Sequence, residues 1–458
     1  MQGTKARGPR ISFTPAQILV LGFAGLILLG TILLSLPIAV EPGNSISVVD
    51  ALFTATSAVC VTGLIVVDTP TYFSTFGEIV IMLLIQMGGL GIMTISMLMF
   101  MLLGRRISLQ ERLLMQEALG SFSIAGVVRL TRNIILVTLG IEAVGATLLT
   151  FRLLALDYPL SQSLYWGIFH AVSAWNNAGF DLTSQSMRLF NRDPFILMVI
   201  AALFVLGGLG FLVLEDIWRK RSWERFTLQT KLVLKVTGLL ILIPSVIFLA
   251  LEYANPNTFG PLPWIDKIVN AIFTAITPRT AGFESIPTAK LANASLLLTI
   301  ILMYIGASPG GTGGGIKTTT LSMIVLTIRS TAIGLEETQV MGRRLARDLL
   351  DKAVTIAAIA MTLIVTVVGL LLVTERQAVD NPAIPITFID VMFEVVSAFG
   401  TVGLTTGLTP ELTVPGRILI TLTMFVGRVG PLTMAVALAQ RKFARTHIQY
   451  PEERVMIG

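Results

Sequence analysis

Long apolar stretches in this chain alternate with apolar segments too short to cross a membrane, and this alternation constrains the fold more than any other feature. A helix needs about 20 apolar residues to cross the ~30 Å hydrocarbon core of a bilayer. Such stretches occur at Gln17–Ala39, Ile79–Leu103, Ile134–Ala155, Phe195–Val213, Leu232–Leu251, Ala353–Val373 and Gly416–Ala439. An eighth stretch, Leu296–Ile328, is interrupted by ASPGGTGGGIKTTT (Ala307–Thr320). The sequence therefore predicts an integral membrane protein with eight spans.

Four shorter apolar segments lie between paired spans, at Val49–Val59, Leu164–Trp175, Val269–Thr277 and Ile389–Phe399. About ten helical residues rise only ~15 Å, which is half of the hydrocarbon core. Irregular backbone at membrane depth is tolerated only where protein or water surrounds it. We therefore expect re-entrant half-helices, each followed by a loop that turns back inside the protein.

The half-helices and their loops repeat one pattern, in which a phenylalanine precedes a glycine that is followed by leucine or phenylalanine. The pairs are Phe53 and Gly63, Phe169 and Gly179, Phe273 and Gly282, and Phe393 and Gly403, with spacings of 10, 10, 9 and 10. Internal self-similarity of this kind indicates a repeated structural unit. The predicted unit is span, half-helix, loop and span, repeated over residues 1–113, 114–228, 229–345 and 346–458.

The second span of each unit also contains a glycine cluster. The clusters read MGGLG (Met87–Gly91), LGGLG (Leu206–Gly210), IGASPGG (Ile305–Gly311) and VGRVG (Val426–Gly430). Their first glycines follow the loop glycines by 25, 28, 24 and 24 residues, so the break at Ala307–Thr320 enlarges a feature that all four units share. Five glycines in one loop predict mobility, because glycine adopts many backbone conformations at low steric cost.

Four re-entrant loops in one chain predict a pore with fourfold pseudo-symmetry. Each half-helix would direct its C-terminus, with about half a negative charge, toward the pore axis. The following backbone carbonyls could then replace the hydration shell of a cation. The segments Thr56–Leu64, Ser173–Phe180 and Ser397–Leu404 contain no acidic residue, so cation binding there would depend on backbone oxygens. For any single loop, an ordinary turn glycine is the alternative interpretation.

Lys and Arg are concentrated in the N-terminus (Lys5, Arg7, Arg10), Gly104–Arg112, Trp218–Lys231, Arg329–Lys352 and Gln440–Arg454. By the positive-inside rule these segments face the cytoplasm, so both termini are predicted to be cytoplasmic and the half-helices to enter from outside. The net charge of +6 then reflects membrane topology, and no nucleic acid partner is expected.

Other classes of function agree less well with the sequence. The phosphate-loop pattern G-x-x-x-x-G-K-[ST] fails because Ile316 separates Gly315 from Lys317. One cysteine, two distant histidines and the lack of a recurring catalytic set argue against an enzyme, a resident metal site or an organic cofactor. A secondary transporter of a small organic solute is the alternative function, although such proteins usually have inverted repeats and these repeats are parallel.

The loop motifs SAVCVTGL, SAWNNAGF, TPRTAGF and SAFGTVGL, together with the fourfold repeat and the Gly-rich break, resemble the Trk/Ktr/HKT superfamily of potassium transporters. The resemblance covers almost the whole chain. It is strongest to the membrane subunit of bacterial Ktr systems, because only one span precedes the first half-helix. The plant branch often has serine at the position of Gly63, so glycine there favours potassium over sodium. The resemblance implies an all-α, potassium-channel-like fold and potassium uptake through the pore.

The resemblance also implies residue roles. The selectivity filter would be formed by Val61, Thr62, Gly63, Asn177, Ala178, Gly179, Thr280, Ala281, Gly282, Thr401, Val402 and Gly403. Potassium would bind the backbone of Val61, Asn177, Thr280 and Thr401. An intramembrane gate would comprise Gly306, Gly310, Gly311, Thr312, Gly313, Gly314, Gly315, Lys317 and Arg428. Arg428 lies deep in its span and would be a fixed positive charge beside the loop. Lys317 would either take part in gating or extend toward the cytoplasm and anchor the loop.

The remaining expectations concern ions, partners and location. The resemblance implies potassium as the transported ion, sodium as an activator, and a homodimer embedded in the lipid of the bacterial plasma membrane. It also implies a cytosolic ring of KtrA-type nucleotide-binding regulatory subunits. The longest polar segment, Arg329–Lys352, has only 24 residues, so a sensor domain would have to belong to a separate chain.

Overall fold

Helices form most of the computed structural model, which describes residues 14–91, 94, 127–335, 337–376 and 386–438. Three of the cation-rich segments, at the N-terminus, Gly104–Arg112 and Gln440–Arg454, lie outside the described residues. The predicted boundary between residues 113 and 114 lies outside them as well. The boundaries at 228/229 and 345/346 stay predictions.

The first span of each unit is a long apolar helix. These helices are α1 (Pro15–Leu34), α5 (Val127–Leu154), α9 (Leu228–Glu252) and α13 (Arg347–Thr374), and each is long and apolar enough to cross a membrane. The capping box of Thr14 and Gln17 starts α1, because each side chain accepts a backbone N–H at the helix end. The predicted span Gln17–Ala39 is too long at its C-terminal end, since Pro37 begins a short 3₁₀ turn.

The predicted half-helices are present as α2 (Val48–Val59), α6 (Leu160–Trp175), α10 (Trp264–Ile276) and α14 (Phe388–Gly400). The repeated phenylalanines are at most 1% exposed, so they fix each half-helix in the protein interior. Two half-helices, α6 and α10, begin before the predicted Leu164 and Val269. Proline provides the N-cap residue of both, at Pro159 and Pro263.

The second spans are broken, and the prediction of continuous helices across Phe195–Val213 and Gly416–Ala439 is wrong. The outer halves are α4 (Thr75–Leu90), α7 (Pro194–Leu209), α11 (Asn293–Tyr304) and α15 (Val414–Val429). The inner halves are α8 (Phe211–Lys220), α12 (Thr318–Ala332) and α16 (Pro431–Leu438). Gly91, Gly210 and Gly430 follow the outer halves at φ of 81°, 96° and 93°, which is a left-handed conformation that ends a helix. Helices α7 and α8 meet at 96°.

The four units close into a ring. The outer half of each second span packs on the half-helix of the next unit: α4 on α6, α7 on α10, and α11 on α14. Helix α15 of the last unit then packs on α2 of the first. Shorter elements join the spans, namely α3 (Thr69–Tyr72) and a hairpin of β1 (Gln339–Val340) with β2 (Arg343–Arg344). The expectation of an all-α fold with four units around one axis is confirmed.

Candidate functional site: the loop ring and the loop below it

The four loops after the half-helices follow the same backbone path. Val61, Asn177, Thr280 and Thr401 have φ of 51°, 58°, 69° and 50°, and the glycine two residues later in each loop also has positive φ. A side chain in the left-handed region costs about 1–2 kcal/mol. Those four residues are at most 1% exposed, so the surrounding protein holds this conformation. The sequence motifs therefore mark a shared local structure and not only a shared composition.

The four loop glycines meet at the centre of the ring. A Cβ atom at Gly63 would lie 2.5 Å from the carbonyl oxygen of Ala178, and one at Gly179 would lie 3.0 Å from that of Ala281. Gly282 faces the carbonyl of Val402 in the same way, and Gly403 faces that of Thr62. Each loop thus contacts the next, and the fourth returns to the first. No side chain fits at these positions without displacing backbone oxygen atoms.

Hydroxyl groups near the end of each half-helix hold the loops. Ser57 Oγ accepts a hydrogen bond from the backbone N–H of Gly63 (3.1 Å), and Ser397 Oγ accepts one from Gly403 (3.2 Å). Ser173 and Thr277 instead donate to the carbonyls of Phe180 and Phe283, each at 2.7 Å. The sequence analysis did not select these hydroxyls, although they precede the loop glycine by six residues in three loops and by five in the third.

The third loop is one residue shorter, and the hydrogen-bonded turn that follows its half-helix is one residue shorter as well. In the other three loops, the residue before the glycine donates its N–H to the carbonyl five residues earlier, as Thr62 does to Ser57. In the third loop Ala281 donates to Thr277, four residues earlier. Thr280 and Gly282 consequently match their counterparts in backbone conformation. Arg279 lies behind this loop, where its Nη2 is 3.5 Å from Thr237 Oγ1.

The Gly-rich segment forms an ordered loop, Ile305–Lys317, between α11 and α12. Its two ends are paired, since the N–H of Gly306 donates to the carbonyl of Ile316 (2.8 Å). Its middle is attached to the glycine cluster of the second unit, where the N–H groups of Ser308 and Thr312 donate to the carbonyls of Gly208 and Gly207. Residues without side chains are needed here because backbone packs directly on backbone.

The same loop contacts the ring residues. Thr312 Oγ1 lies 3.0 Å from Asn177 Oδ1 and 3.2 Å from the carbonyl oxygen of Trp175. The N–H of Gly314 donates to Thr401 Oγ1 at 3.0 Å. A Cβ atom at Gly313 would collide with Thr280 Oγ1. The loop is therefore packed against three of the four units at the level of the ring.

Two cations bind the backbone of this region. Arg428 donates through Nη1 to the carbonyl of Thr312 and through Nη2 to that of Gly88, so one guanidinium joins the loop to the first unit. Lys317 Nζ donates to the carbonyl of Gly313 at 2.7 Å. The lysine ammonium therefore turns back into its own loop instead of extending away from it. Every predicted gate residue belongs to this loop or contacts it, and within the loop the Gly310 carbonyl also accepts a hydrogen bond from the N–H of Phe211.

A polar cluster that sequence reasoning missed supports the second ring loop. Glu142, near the middle of α5, is 6% exposed and accepts hydrogen bonds from Gln86 (3.2 Å) and Asn176 (3.0 Å). Asn176 also donates to Gln86 Oε1 at 2.8 Å and directly precedes Asn177 in the ring. The isolated acidic residue in the third predicted span, Ile134–Ala155, was the available signal.

A membrane protein whose four parallel units bring re-entrant loops together at one axis belongs to the channel-like class of membrane transport proteins. A family model described as "TrkH: Cation transport protein" matches residues 7–445. The chain therefore belongs to the TrkH family of cation transport proteins, which is a family of transporters and not of enzymes.

Similar proteins agree with this assignment. The chain is 42% identical to "Ktr system potassium uptake protein B" of Bacillus subtilis over 448 residues, with 98% of each chain covered. It is 39% identical to the protein of the same name from Vibrio alginolyticus over 96% of this chain and 94% of that one. It is 38% identical to "Potassium/sodium uptake protein NtpJ" of Enterococcus hirae over 98% of each. The crystal structure of the potassium transporter TrkH from Vibrio parahaemolyticus has the same fold, with a TM-score of 0.74, 18% identity, and coverage of 96% of this chain and 88% of that chain. The predicted resemblance to the Ktr branch is confirmed.

Proposed function

We propose that this protein takes up potassium across the bacterial plasma membrane through the centre of the loop ring. The observation that carries the proposal is the closed contact of Gly63, Gly179, Gly282 and Gly403, each against a backbone carbonyl of the next loop. Carbonyl oxygens can replace the hydration shell of a potassium ion. The predicted filter residues, with Val61, Asn177, Thr280 and Thr401 as backbone ligands, would form that site. The potassium uptake proteins named above support the choice of ion.

The loop Ile305–Lys317 is proposed as the gate. Its contacts with Asn177 and Thr401 support a position directly below the filter, on the path of an ion that has passed the ring. Arg428 adds a positive charge at the same level, and a cation would be repelled there unless the loop and the guanidinium moved apart. Opening would require loss of the hydrogen bonds that Thr312 and Gly314 make to the ring.

Regulation by a separate chain belongs to the same proposal. The names of the two relatives from Bacillus subtilis and Vibrio alginolyticus refer to a Ktr system, which supports further subunits. We propose a cytosolic ring of KtrA-type nucleotide-binding subunits below a homodimer of this chain. Sodium is proposed as an activator, and the potassium/sodium name of one relative supports this choice. Both termini and the cation-rich segments would face the cytoplasm, so that the basic residues face the regulatory ring.

Growth of a bacterium that lacks potassium uptake tests the proposal. At low external potassium we expect growth when this chain is expressed with a KtrA-type subunit and slower growth without it. Gly403→Val should abolish growth, because a side chain there meets the Thr62 carbonyl. Gly407→Val is the matched control: Gly407 also has positive φ (104°), but a Cβ atom there would meet nothing within 4 Å.

Transport measurements on reconstituted protein distinguish potassium uptake from transport of an organic solute. Proteoliposomes that contain only potassium chloride and buffer should take up rubidium tracer when an inside-negative membrane potential is applied. Growth of Gly403→Val at the wild-type rate, or proteoliposomes that take up no rubidium with folded protein, would contradict the proposal.

A further inference from the structure

A cavity of about 260 Å³ lies between the end of α12 and the start of α13, at the ends of these helices that are remote from the loop ring. The hairpin of β1 and β2 forms its third wall through Thr338, Arg344 and Leu345. None of its lining residues belongs to the ring, to the loop Ile305–Lys317 or to the Glu142 cluster. The proposed ion pathway therefore does not account for it.

Two hydroxyl-bearing residues line this cavity. Ser330 and Thr338 are 6% and 7% exposed and line its wall. In the part of the chain that the structure describes, neither side-chain oxygen has a hydrogen-bond partner within the protein, whereas the hydroxyl of Ser322 on the same helix α12 donates to a carbonyl one turn earlier. Both hydroxyls are open to the cavity and can each donate one hydrogen bond to a ligand there.

The charges that line the cavity form one satisfied pair and one separated pair. Arg344 is neutralised by Glu337, with Nη1 and Oε1 2.9 Å apart. Arg347 and Asp351 lie one helical turn apart on α13 and line the same cavity, yet among the described residues neither forms an ion pair within 4.0 Å. The cavity thus offers a free cation and a free anion side by side. That arrangement complements a zwitterion and not a simple anion.

The position of the cavity indicates where such a zwitterion would come from. Apolar side chains beside it are exposed, including Ile328 (63%), Leu335 (47%) and Val354 (54%). The apolar stretch of α13 starts at Ala353, directly after the charged turn that carries Arg347 and Asp351. The cavity is therefore at the boundary between the hydrocarbon core and the cation-rich polar segment, at the depth of phospholipid headgroups.

We propose that this cavity binds the phosphoethanolamine headgroup of a membrane phospholipid. The phosphate lies at Arg347 and the hydroxyls of Ser330 and Thr338, and the primary ammonium lies at Asp351. The acyl chains extend along Ile328 and Val354. A primary ammonium can donate hydrogen bonds to the Asp351 carboxylate, whereas a trimethylated one cannot. Arg347 donates up to five N–H groups in a plane that suits phosphate.

Native mass spectrometry of the full-length protein in detergent tests the proposal, with phosphatidylethanolamine, phosphatidylcholine and phosphatidylglycerol of identical acyl chains as probes. We expect one phosphatidylethanolamine to bind most tightly. Arg347→Gln should weaken its binding about tenfold, because the charged donor to the phosphate is lost. Asp351→Asn should remove the preference for ethanolamine over choline. Arg343→Gln is the matched control, since Arg343 is an exposed arginine of the same hairpin that does not line the cavity.

The outcomes separate the possible sources of the headgroup. If soluble phosphoethanolamine at millimolar concentration stabilises the protein against heating and loses this effect in Arg347→Gln, while the lipid does not bind, the site is supported with a soluble ligand. Equal binding of the choline and ethanolamine lipids to the wild-type protein would overturn the proposal. Tightest binding of phosphatidylglycerol, or equal losses in Arg347→Gln and Arg343→Gln, would overturn it as well.

Discussion

At the scale of the residue, backbone conformation decides which side chains the ring accepts. Gly63 and Gly403 combine a positive φ with a neighbouring carbonyl that occupies the place of a side chain. Either condition alone disfavours a larger residue, and together they make glycine necessary. The non-glycine residues two positions earlier, such as Val61, also have the strained conformation. Close packing around Val61 and the hydrogen bond from Gly63 to the Ser57 hydroxyl stabilise it.

Substitution of Gly63 by serine should weaken the discrimination of potassium over sodium. The new Cβ atom would lie 2.5 Å from the Ala178 carbonyl, so that oxygen must move and the ring must widen or distort. Relative uptake of rubidium and sodium tracers by proteoliposomes measures the effect. Gly43→Ser is the control, because Gly43 has a similar φ of 97° with no atom within 4 Å of its Cβ position. Unchanged selectivity in Gly63→Ser would remove Gly63 from the filter.

Substitution of Arg428 by glutamine should raise potassium flux in the absence of a regulatory subunit. The change removes the guanidinium that joins the Thr312 and Gly88 carbonyls, and it removes a partly buried positive charge from the proposed path. Arg428→Lys keeps the charge but loses the paired donors that bind the two carbonyls, so we expect a flux between those of the wild type and Arg428→Gln. Rubidium uptake into proteoliposomes provides the measurement. A lower flux than wild type in folded Arg428→Gln would contradict a gating role.

At the scale of the element, the ends of the outer second-span helices lie at equivalent places in the four units, where the proposed gate is found. Gly210 and Gly430 break their spans with a single residue and Gly91 ends α4 at a similar positive φ, whereas the third unit inserts the whole loop Ile305–Lys317. The enlarged loop reaches the carbonyls of Gly207 and Gly208 in the neighbouring unit. The asymmetry of one unit among four thus gives the otherwise repeated frame one distinct loop, which is the loop proposed above as the gate.

Loss of the Thr312 hydroxyl should also favour the open gate. Thr312→Val keeps the shape of the side chain but removes the hydroxyl that can donate to Asn177 Oδ1 or to the Trp175 carbonyl. This loss should raise unregulated rubidium uptake severalfold, since one hydrogen bond contributes about 1 kcal/mol. Thr312→Ser retains the hydroxyl and should behave as wild type. Equal uptake by the two variants would show that the hydroxyl does not hold the loop.

At the scale of the whole molecule, the ring must close between its last and first units. Arg417 at the start of α15 pairs with Asp50 of α2 through Nη1 and Oδ1 at 2.5 Å, and it also donates to the Pro410 carbonyl. Helix packing of α15 on α2 completes the same junction. The half-helices of units that are far apart in sequence thereby become neighbours, and four loops become one constriction.

A double-mutant cycle on Asp50→Asn and Arg417→Gln should give a coupling energy of about 1 kcal/mol, because both side chains are partly shielded from solvent. The measurement is the unfolding free energy in detergent, at low and at high salt. Salt should reduce the coupling, since the pair remains partly exposed. Additive effects of the two substitutions would mean that helix packing alone closes the ring.

Several site features could be predicted from the motifs alone. The spacing of Phe53 and Gly63 and their three counterparts located the half-helix ends, because a short apolar segment in a membrane has few alternatives. The cluster of Glu142, Gln86 and Asn176 could not be predicted, since its members come from two units and meet only when the helices pack. The break at Gly210 was missed because an apolar stretch of spanning length looks continuous whether or not one residue adopts a left-handed conformation.

The sequence by itself determined the membrane location, the four units and the position of every ring glycine, because these depend on local apolar length and on internal repetition. Only the tertiary structure decided which carbonyl each glycine contacts, that Arg428 joins Thr312 to Gly88, and that Lys317 turns back to Gly313. Contacts of this kind join residues up to 341 positions apart, as between Gly403 and Thr62. They follow from the closure of the ring, which no local pattern encodes.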